Sequence, residues 1–339
     1  MILTFKIRHN RDFTYELMLA RKVAEHGIKY KIRSSKDVKH IGLKSAIANQ
    51  ILKKYSYDKK AKKVNNVKLT IPNQSIKVDK ELRRIKIPCL KFELNYQFRN
   101  DFKKINQIEI DNEFAYISVT IPELPIIETD RFIGIDRNTT GHSIVVSNPE
   151  TGKVWKLGKE LQHIHKKYMY MRKNLQKNGK YKKLKEVKDR ESRIVRDINH
   201  KMSSKVVDIA IQNNCGIKME DLKNIRNTTK QAKSFKYSMN CWSFYQQQQM
   251  IEYKAKLHGI PIIYVEPSYT SQICSRCGWI GNRNDKAFKC LNCGHVDHAD
   301  VNASFNISVS SQSIGQSYAD RDVCEGSTDT PKEATIGTI

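Results

Sequence analysis

No stretch of this chain reaches the ~18 consecutive apolar residues that a membrane-spanning helix needs. No internal repeat is visible, which argues against a solenoid or propeller. No secretory leader is expected, because Met1-Ile2-Leu3-Thr4-Phe5-Lys6-Ile7 reads as a strand and Lys6, Arg8 and Arg11 follow at once. Acidic residues are scarce: 35 Asp and Glu stand against 61 Lys and Arg, a formal net charge of +26 over 339 residues. Such an excess calls for a polyanionic partner, and nucleic acid is the expected one; a membrane surface is the weaker rival without an apolar span. The chain also lacks the cysteine spacing of a disulfide framework: Cys89, Cys215, Cys241 and Cys324 are scattered and read as free thiols. That usage fits a reducing, intracellular compartment, here a prokaryotic cytoplasm with the protein on the nucleoid.

What is present is uneven in charge. Residues 1–100 hold 25 basic and 8 acidic residues, and residues 131–200 hold 18 and 7. Residues 101–130 reverse the balance, with 2 and 7. Two separate basic blocks favour phosphate binding over a merely solvated face.

The apolar pattern outlines the fold. Residues 2–8 read as a strand, and residues 12–26 and 37–55 have helical period, with Leu43, Ile47 and Ile51 four apart. Strict alternation at 67–71, 76–78, 85–87, 90–94 and 116–120 predicts short strands and a small β-barrel or curled sheet. Pro122 to Pro125 marks a boundary. Beyond it, Phe132–Asp136, His142–Ser147 and Lys153–Leu157 predict a three-strand meander, followed by a basic helical hairpin turning at Asn178-Gly179. Gly216–Glu220 and Pro261–Val265 read as strands, Trp242–Leu257 and Val301–Ile307 as helices, and the Ser/Thr/Gly/Asp-rich tail as disordered. Tyr30, Tyr55, Tyr57, Phe92 and Tyr96 lie among basic residues, where they either stack on bases or, more in keeping with their pattern, fill the core; Trp242 and Tyr245 also read as core.

Two constellations carry chemistry. Cys274-x2-Cys277 and Cys290-x2-Cys293 supply four thiolates at a spacing suited to one tetrahedral Zn²⁺. Asp136 ends one predicted strand, Glu220 ends another, and Asp300 opens the last helix. Strands ending on carboxylates can bring distant acids to one sheet edge, where they need a counter-cation; Mg²⁺ suits such hard oxygen ligands. Two such ions would serve phosphodiester hydrolysis, with Asp136 bridging them and Glu220 and Asp300 holding one each. Taken singly, each acid reads equally well as a turn, a strand terminus or a cap.

The second half resembles the RuvC-like, RNase H-type nuclease of the TnpB/OrfB family, transposon-associated RNA-guided DNA endonucleases related to the type V CRISPR effectors. Ile133-Gly134-Ile135-Asp136 is similar to the family's first acidic motif and Met219-Glu220-Asp221-Leu222 to its second. Tyr269 through Gly278 is similar to the lead into its zinc ribbon, and Asp297-His298-Ala299-Asp300-Val301-Asn302-Ala303 to its third acidic motif. The likeness spans about residues 128–307. It implies Asp136, Glu220 and Asp300 as catalytic, Mg²⁺-binding acids and Cys274, Cys277, Cys290 and Cys293 as structural Zn²⁺ ligands. It further implies an α/β nuclease domain at 126–268 and 296–310 with a zinc ribbon at 269–295 inserted, preceded by a wedge-like β-barrel at 1–8 and 65–125 that carries a reduced helical recognition insert at 9–64. A disordered tail would occupy 311–339. The partners implied are a guide RNA from the transposon end and a double-stranded DNA target, with base pairing reading sequence. Departures are Arg137-Asn138 after the first acid and the two residues separating Asp297 from Asp300. The alternatives are an RNA-guided DNA-binding regulator that does not cleave, and a transposase accessory protein; a strand-transferring transposase lacks a nucleophile here, such as a Tyr in a His-rich motif.

Overall fold

Alternation of apolar residues builds the N-terminal sheet, as the computed structural model of the chain makes plain. The described residues are 1–57, 63–98, 100–222, 243–267, 269–310 and 313–316. They fall into two units, Met1–Pro122 and the part that begins at Glu123.

In the first unit, β1 (Ile2–Arg8) is followed by α1 (Thr14–Tyr30), α2 (Ser45–Tyr55) and β2 (Leu69–Pro72). The strands β3 (Lys77–Asp79), β4 (Arg84–Ile87), β5 (Phe92–Asn95), β6 (Lys104–Ile110) and β7 (Phe114–Thr120) complete it. An antiparallel sheet of order β1-β7-β6-β2 buries Leu3, Phe5, Leu69, Ile71, Ile117 and Val119. Ile47, Ile51 and Leu52 of α2 are buried, as are Leu19, Ala20 and Val23 of α1, because residues three and four apart share a helical face. β3, β4 and β5 form a separate three-stranded sheet. The strands expected to form a small barrel or curled sheet thus fall, among the described residues, into two sheets. Among the described residues β1 and β2 are edges that do not pair with each other.

Three further expectations change. The second helix starts at Ser45 rather than at 37, because a short 3₁₀ turn at Lys39–Ile41 ends on Gly42 at φ 86°. β6 was not foreseen: a bulge between Ile105 and Gln107 sets its buried residues at 105, 108 and 110, so its alternation is broken. Phe92 and Tyr96 are buried, whereas Tyr30 and Tyr57 are exposed. Tyr55 donates to the Asn66 carbonyl at 2.9 Å.

The second unit begins with the meander β8 (Phe132–Arg137), β9 (Ile144–Ser147) and β10 (Val154–Leu157). The hairpin α3 (Glu160–Lys177) and α4 (Tyr181–Gln212) follows. Its two arms are tied by Glu191, whose carboxylate accepts from His165 Nδ1 at 2.8 Å and from Arg172. Then come β11 (Gly216–Glu220), α5 (Phe244–Leu257), β12 (Ile262–Val265), the ribbon strands β13 (Asn282–Asn284), β14 (Ala287–Lys289) and β15 (Val296–His298), α6 (Ala299–Val309) and β16 (Ser313–Gln316). The sheet order is β10-β9-β8-β11-β12-β16, with β8, β11 and β12 parallel and β16 antiparallel to β12. Strand β16 lies in the segment expected to be disordered; the rest of that tail, together with Trp242, Cys241 and Cys324, lies outside the described residues. Tyr245, expected in the core, is exposed.

The period of two sorts this sheet into faces. Ile133, Ile135, Ile217, Met219, Ile262 and Tyr264 share one apolar core with Val206 and Ile209 of α4 and Ile251 and Ala255 of α5. The residues of opposite parity, Gly134, Asp136, Lys218 and Glu220, point to the other face, where α6 packs. The Lys218 ammonium donates to the Ser310 carbonyl at 2.8 Å, at the C-terminal end of α6. Helix and strand meet at Gly134: a Cβ there would lie 2.0 Å from the Ser304 carbonyl oxygen and 2.5 Å from the Ser308 nitrogen. Gly134→Ala must push the backbones apart and is expected to cost about 1–3 kcal/mol or more. Thermal unfolding checks this, and an unchanged midpoint would contradict the packing described.

Candidate active site and metal centre

The four cysteines are placed by two tight knuckles. Gly278 and Gly294, each directly after a knuckle's second cysteine, sit at φ 76° and 71°, a conformation that costs glycine least. The turns close through Gly278 N donating to Cys274 O at 2.9 Å, Cys274 N to Trp279 O at 2.8 Å and Cys290 N to His295 O at 2.8 Å. Cys274 Sγ lies 3.7 Å from Cys293 Sγ, and Cys277 Sγ 3.5 Å from Cys290 Sγ. These spacings are far longer than a disulfide's ~2.05 Å. They approach the ~3.8 Å edge of a tetrahedron built on Zn–S distances of ~2.3 Å. All four sulfurs lie within 4.8 Å of one another, and among the described residues no other set of three or more His, Cys, Asp or Glu ligands is packed so closely. The donor set therefore fits Zn²⁺.

The three acids converge by a different route. Asp136 and Glu220 share a face because β8 and β11 run parallel and in register, Ile135 opposite Met219. Asp300 reaches the same place from the first turn of α6, which Gly134 admits close to β8. All three are buried: Asp136 is 8%, Glu220 9% and Asp300 1% exposed. Burial, then the charges of Glu220 and Asp300, push the Asp136 carboxyl up to about 8, against the opposing pull of Asn138 and Lys286. Burial likewise raises Glu220, opposed by its hydrogen bond from Thr270 and by the charge of Arg137.

Several residues around the acids were not foreseen. Asn138 Nδ2 donates to Asp136 Oδ2 at 2.7 Å, and Thr270 Oγ1 donates to Glu220 Oε1 at 2.5 Å. Arg137 is buried, and its guanidinium donates to the Glu220 carbonyl at 2.5 Å, the Phe244 carbonyl at 3.2 Å and Gln248 Oε1 at 3.3 Å. The two residues that depart from the family's first motif thus brace the second acid's backbone and the first acid's carboxylate. Lys286, from the ribbon, donates to both oxygens of Asp300 at 2.9 and 2.8 Å. Asn302 and Asn306, one turn apart on α6, hold the ribbon's lead: Asn302 Nδ2 donates to Ile273 O at 2.6 Å, and Asn306 Nδ2 donates to Thr270 O and Ile273 O, both at 2.7 Å. Arg137, Asn138, Thr270 and Asn302 lie in or beside the motifs singled out in the sequence, but their partners were not legible there; Lys286 carried no signal, since it acts across the fold. Asp297 does not join the acids; its Oδ1 accepts from His298 N at 2.7 Å, as in a turn.

Comparison with known proteins matches residues 244–307 to the family described as Cas12f1-like, TNB domain. The chain is 34% identical over 233 residues to the TnpB-like protein MJ0751 of Methanocaldococcus jannaschii, covering 65% of this chain and 82% of that one. It is 33% identical over 207 residues to the CRISPR-associated endodeoxyribonuclease Cas12f1 of Sulfoacidibacillus thermotolerans, covering 56% of this chain and 47% of that one, so it spans about half the length of that relative. The cryo-EM structure of a Cas12f1–sgRNA–target DNA complex aligns with 91% of this chain and 99% of that one, at 21% identity and a TM-score of 0.46.

Two measurements test this geometry. Cys290→Ser is expected to lose zinc, read by metal analysis of the purified protein, and to lower the unfolding temperature. Asp136 gives a pH signature. Its folded pKa, about 8, lies above the ordinary aspartate value of about 4, so the folded state holds more protons between those values. Stability in divalent-free buffer should therefore fall as pH rises from about 4 to about 8. At pH 8 Asp136→Asn should unfold at least about 2–4 °C above the parent chain by calorimetry.

Proposed function

Because this chain belongs to the TnpB-like family, we propose that it is a transposon-encoded, RNA-guided DNA endonuclease that hydrolyses phosphodiester bonds with divalent metal ions. The observation that carries the reading is the burial of Asp136, Glu220 and Asp300 on one face of the sheet, near enough for the charges of Glu220 and Asp300 to raise the Asp136 carboxyl. Buried carboxylates of one sign are costly without a counter-cation. A protein that only bound DNA would be more stable with neutral side chains there, which argues against the non-cleaving alternative.

The donor set is chemically right for Mg²⁺: hard oxygens, with Asn138 and Thr270 fixing two of the carboxylates. Asp136, Glu220 and Asp300 would hold the ions through their carboxylate oxygens. Ions bound there supply Lewis-acid stabilisation of the phosphate and activation of water. The protein's part is to hold the acids: Arg137 fixes the end of β11, Asn138 orients Asp136, and Thr270 orients Glu220. Zinc on Cys274, Cys277, Cys290 and Cys293 has no open position and serves folding, not hydrolysis.

For partners, the reading takes a guide RNA from the transposon end and a double-stranded DNA target. The hairpin α3–α4 displays Lys166, Lys167, Lys173, Lys182, Lys183 and Arg193 to solvent and supplies phosphate contacts. The first unit, with its small helical insert of α1 and α2, takes the wedge and recognition roles. No helix among the described residues is long and apolar enough to cross a membrane. The test is cleavage of matching DNA by the protein purified with its guide RNA in Mg²⁺. Asp136→Ala is expected to abolish cutting while mobility-shift binding persists; cutting by that variant at the parent rate would remove Asp136 from the site.

A further inference from the structure

Lys286 is a cation that hydrogen-bonds directly to one of the three carboxylates, whereas the Arg137 guanidinium bonds the Glu220 backbone carbonyl. It lies in the turn between β13 and β14, beside Asp285 at φ 51°, so the ribbon carries it. Its ammonium donates to both oxygens of Asp300, at 2.9 and 2.8 Å, and to Asn138 Oδ1 at 3.3 Å. Asn138 in turn holds Asp136 Oδ2 at 2.7 Å. One cation thus touches the whole carboxylate of Asp300 and the amide that orients Asp136. The Asp300 side chain is 2% exposed, that of Lys286 24%. The acid is locked in place, whereas the lysine is a point charge on a flexible four-carbon stem with solvent beside it. A divalent ion would compete for the same carboxylate oxygens, both of which the Lys286 ammonium already engages, and the two positive charges repel at that range. The backbone ties the two elements further: Ala299 N, at the start of α6, donates to Lys286 O at 2.8 Å.

We propose that Lys286 is a displaceable internal counter-ion, which holds Asp300 through the ribbon and must swing off its carboxylate for a divalent ion to bind. This rests on the reading of the three acids as metal ligands. Lys286 is then a positioning residue that sets metal affinity and makes the ribbon responsive to occupancy of the acidic edge.

The test uses the full chain with its zinc in place, dialysed into divalent-free buffer without chelator and titrated with Mn²⁺, the free ion being read by electron paramagnetic resonance. Removing a neighbouring positive charge should tighten Mn²⁺ binding by about tenfold or more in Lys286→Gln. Lys286→Arg, which keeps the charge, should bind no more tightly than the parent chain. Zinc content and circular dichroism confirm the fold; Lys286→Met, with the same aliphatic stem, carries the same expectation if the glutamine variant does not fold. Mn²⁺ affinity unchanged or weaker in a folded neutral variant overturns the proposal, while loss of binding in Asp300→Asn leaves the acids as metal ligands. Absence of Mn²⁺ binding in the parent chain overturns both.

Discussion

The close approach of α6 to β8 at Gly134 is the constraint on which the acidic edge depends. A helix whose backbone rests on a strand's backbone has little room to slide or rotate. Ser304 and Ser308 sit against the strand one and two turns after Asp300, so the first turn of α6 is carried to the end of β8, where Asp136 lies. Lys218 fastens the other end of the helix. Any side chain at position 134 would lift α6 and separate the two carboxylates.

A second consequence concerns the ribbon. It forms its own small sheet around the cysteines, yet it is tied to the acids at three places. Asn302 and Asn306 grip its lead, Thr270 in that lead holds Glu220, and Lys286 in its hairpin holds Asp300. A zinc ion held by the four thiolates would therefore also fix groups touching two of the three acids, because the knuckles and the acidic edge are joined by these bonds.

The electrostatics follow from the packing. Burial on the α6 face raises Asp136 and Glu220, and mutual repulsion adds to the effect at Asp136. The surroundings answer with oriented donors rather than with solvent: an amide on Asp136, a hydroxyl on Glu220 and an ammonium on Asp300. Two of these come from elements distant in sequence, which is why the chain's large basic excess says little about the few charges that act at the edge.

By itself the sequence determined the elements whose signal is local. Period-two alternation marked most strands, period 3.6 marked the α3–α4 hairpin, and two CxxC pairs followed by glycine marked the knuckles. It also placed Asp136, Glu220 and Asp300 at the ends of elements, and left their meeting to the packing of those elements. Tertiary structure decided what depends on contact: that the described N-terminal strands sort into two sheets, that a bulge hides β6 from the alternation rule, and that Ser313–Gln316 adds a strand to β12. It alone recruited Arg137, Asn138, Thr270 and Lys286. Asn138 bonds its near neighbour Asp136, but the roles of Arg137, Thr270 and Lys286 rest on hydrogen bonds between separate elements, and no periodicity or spacing records such a bond before the chain has folded.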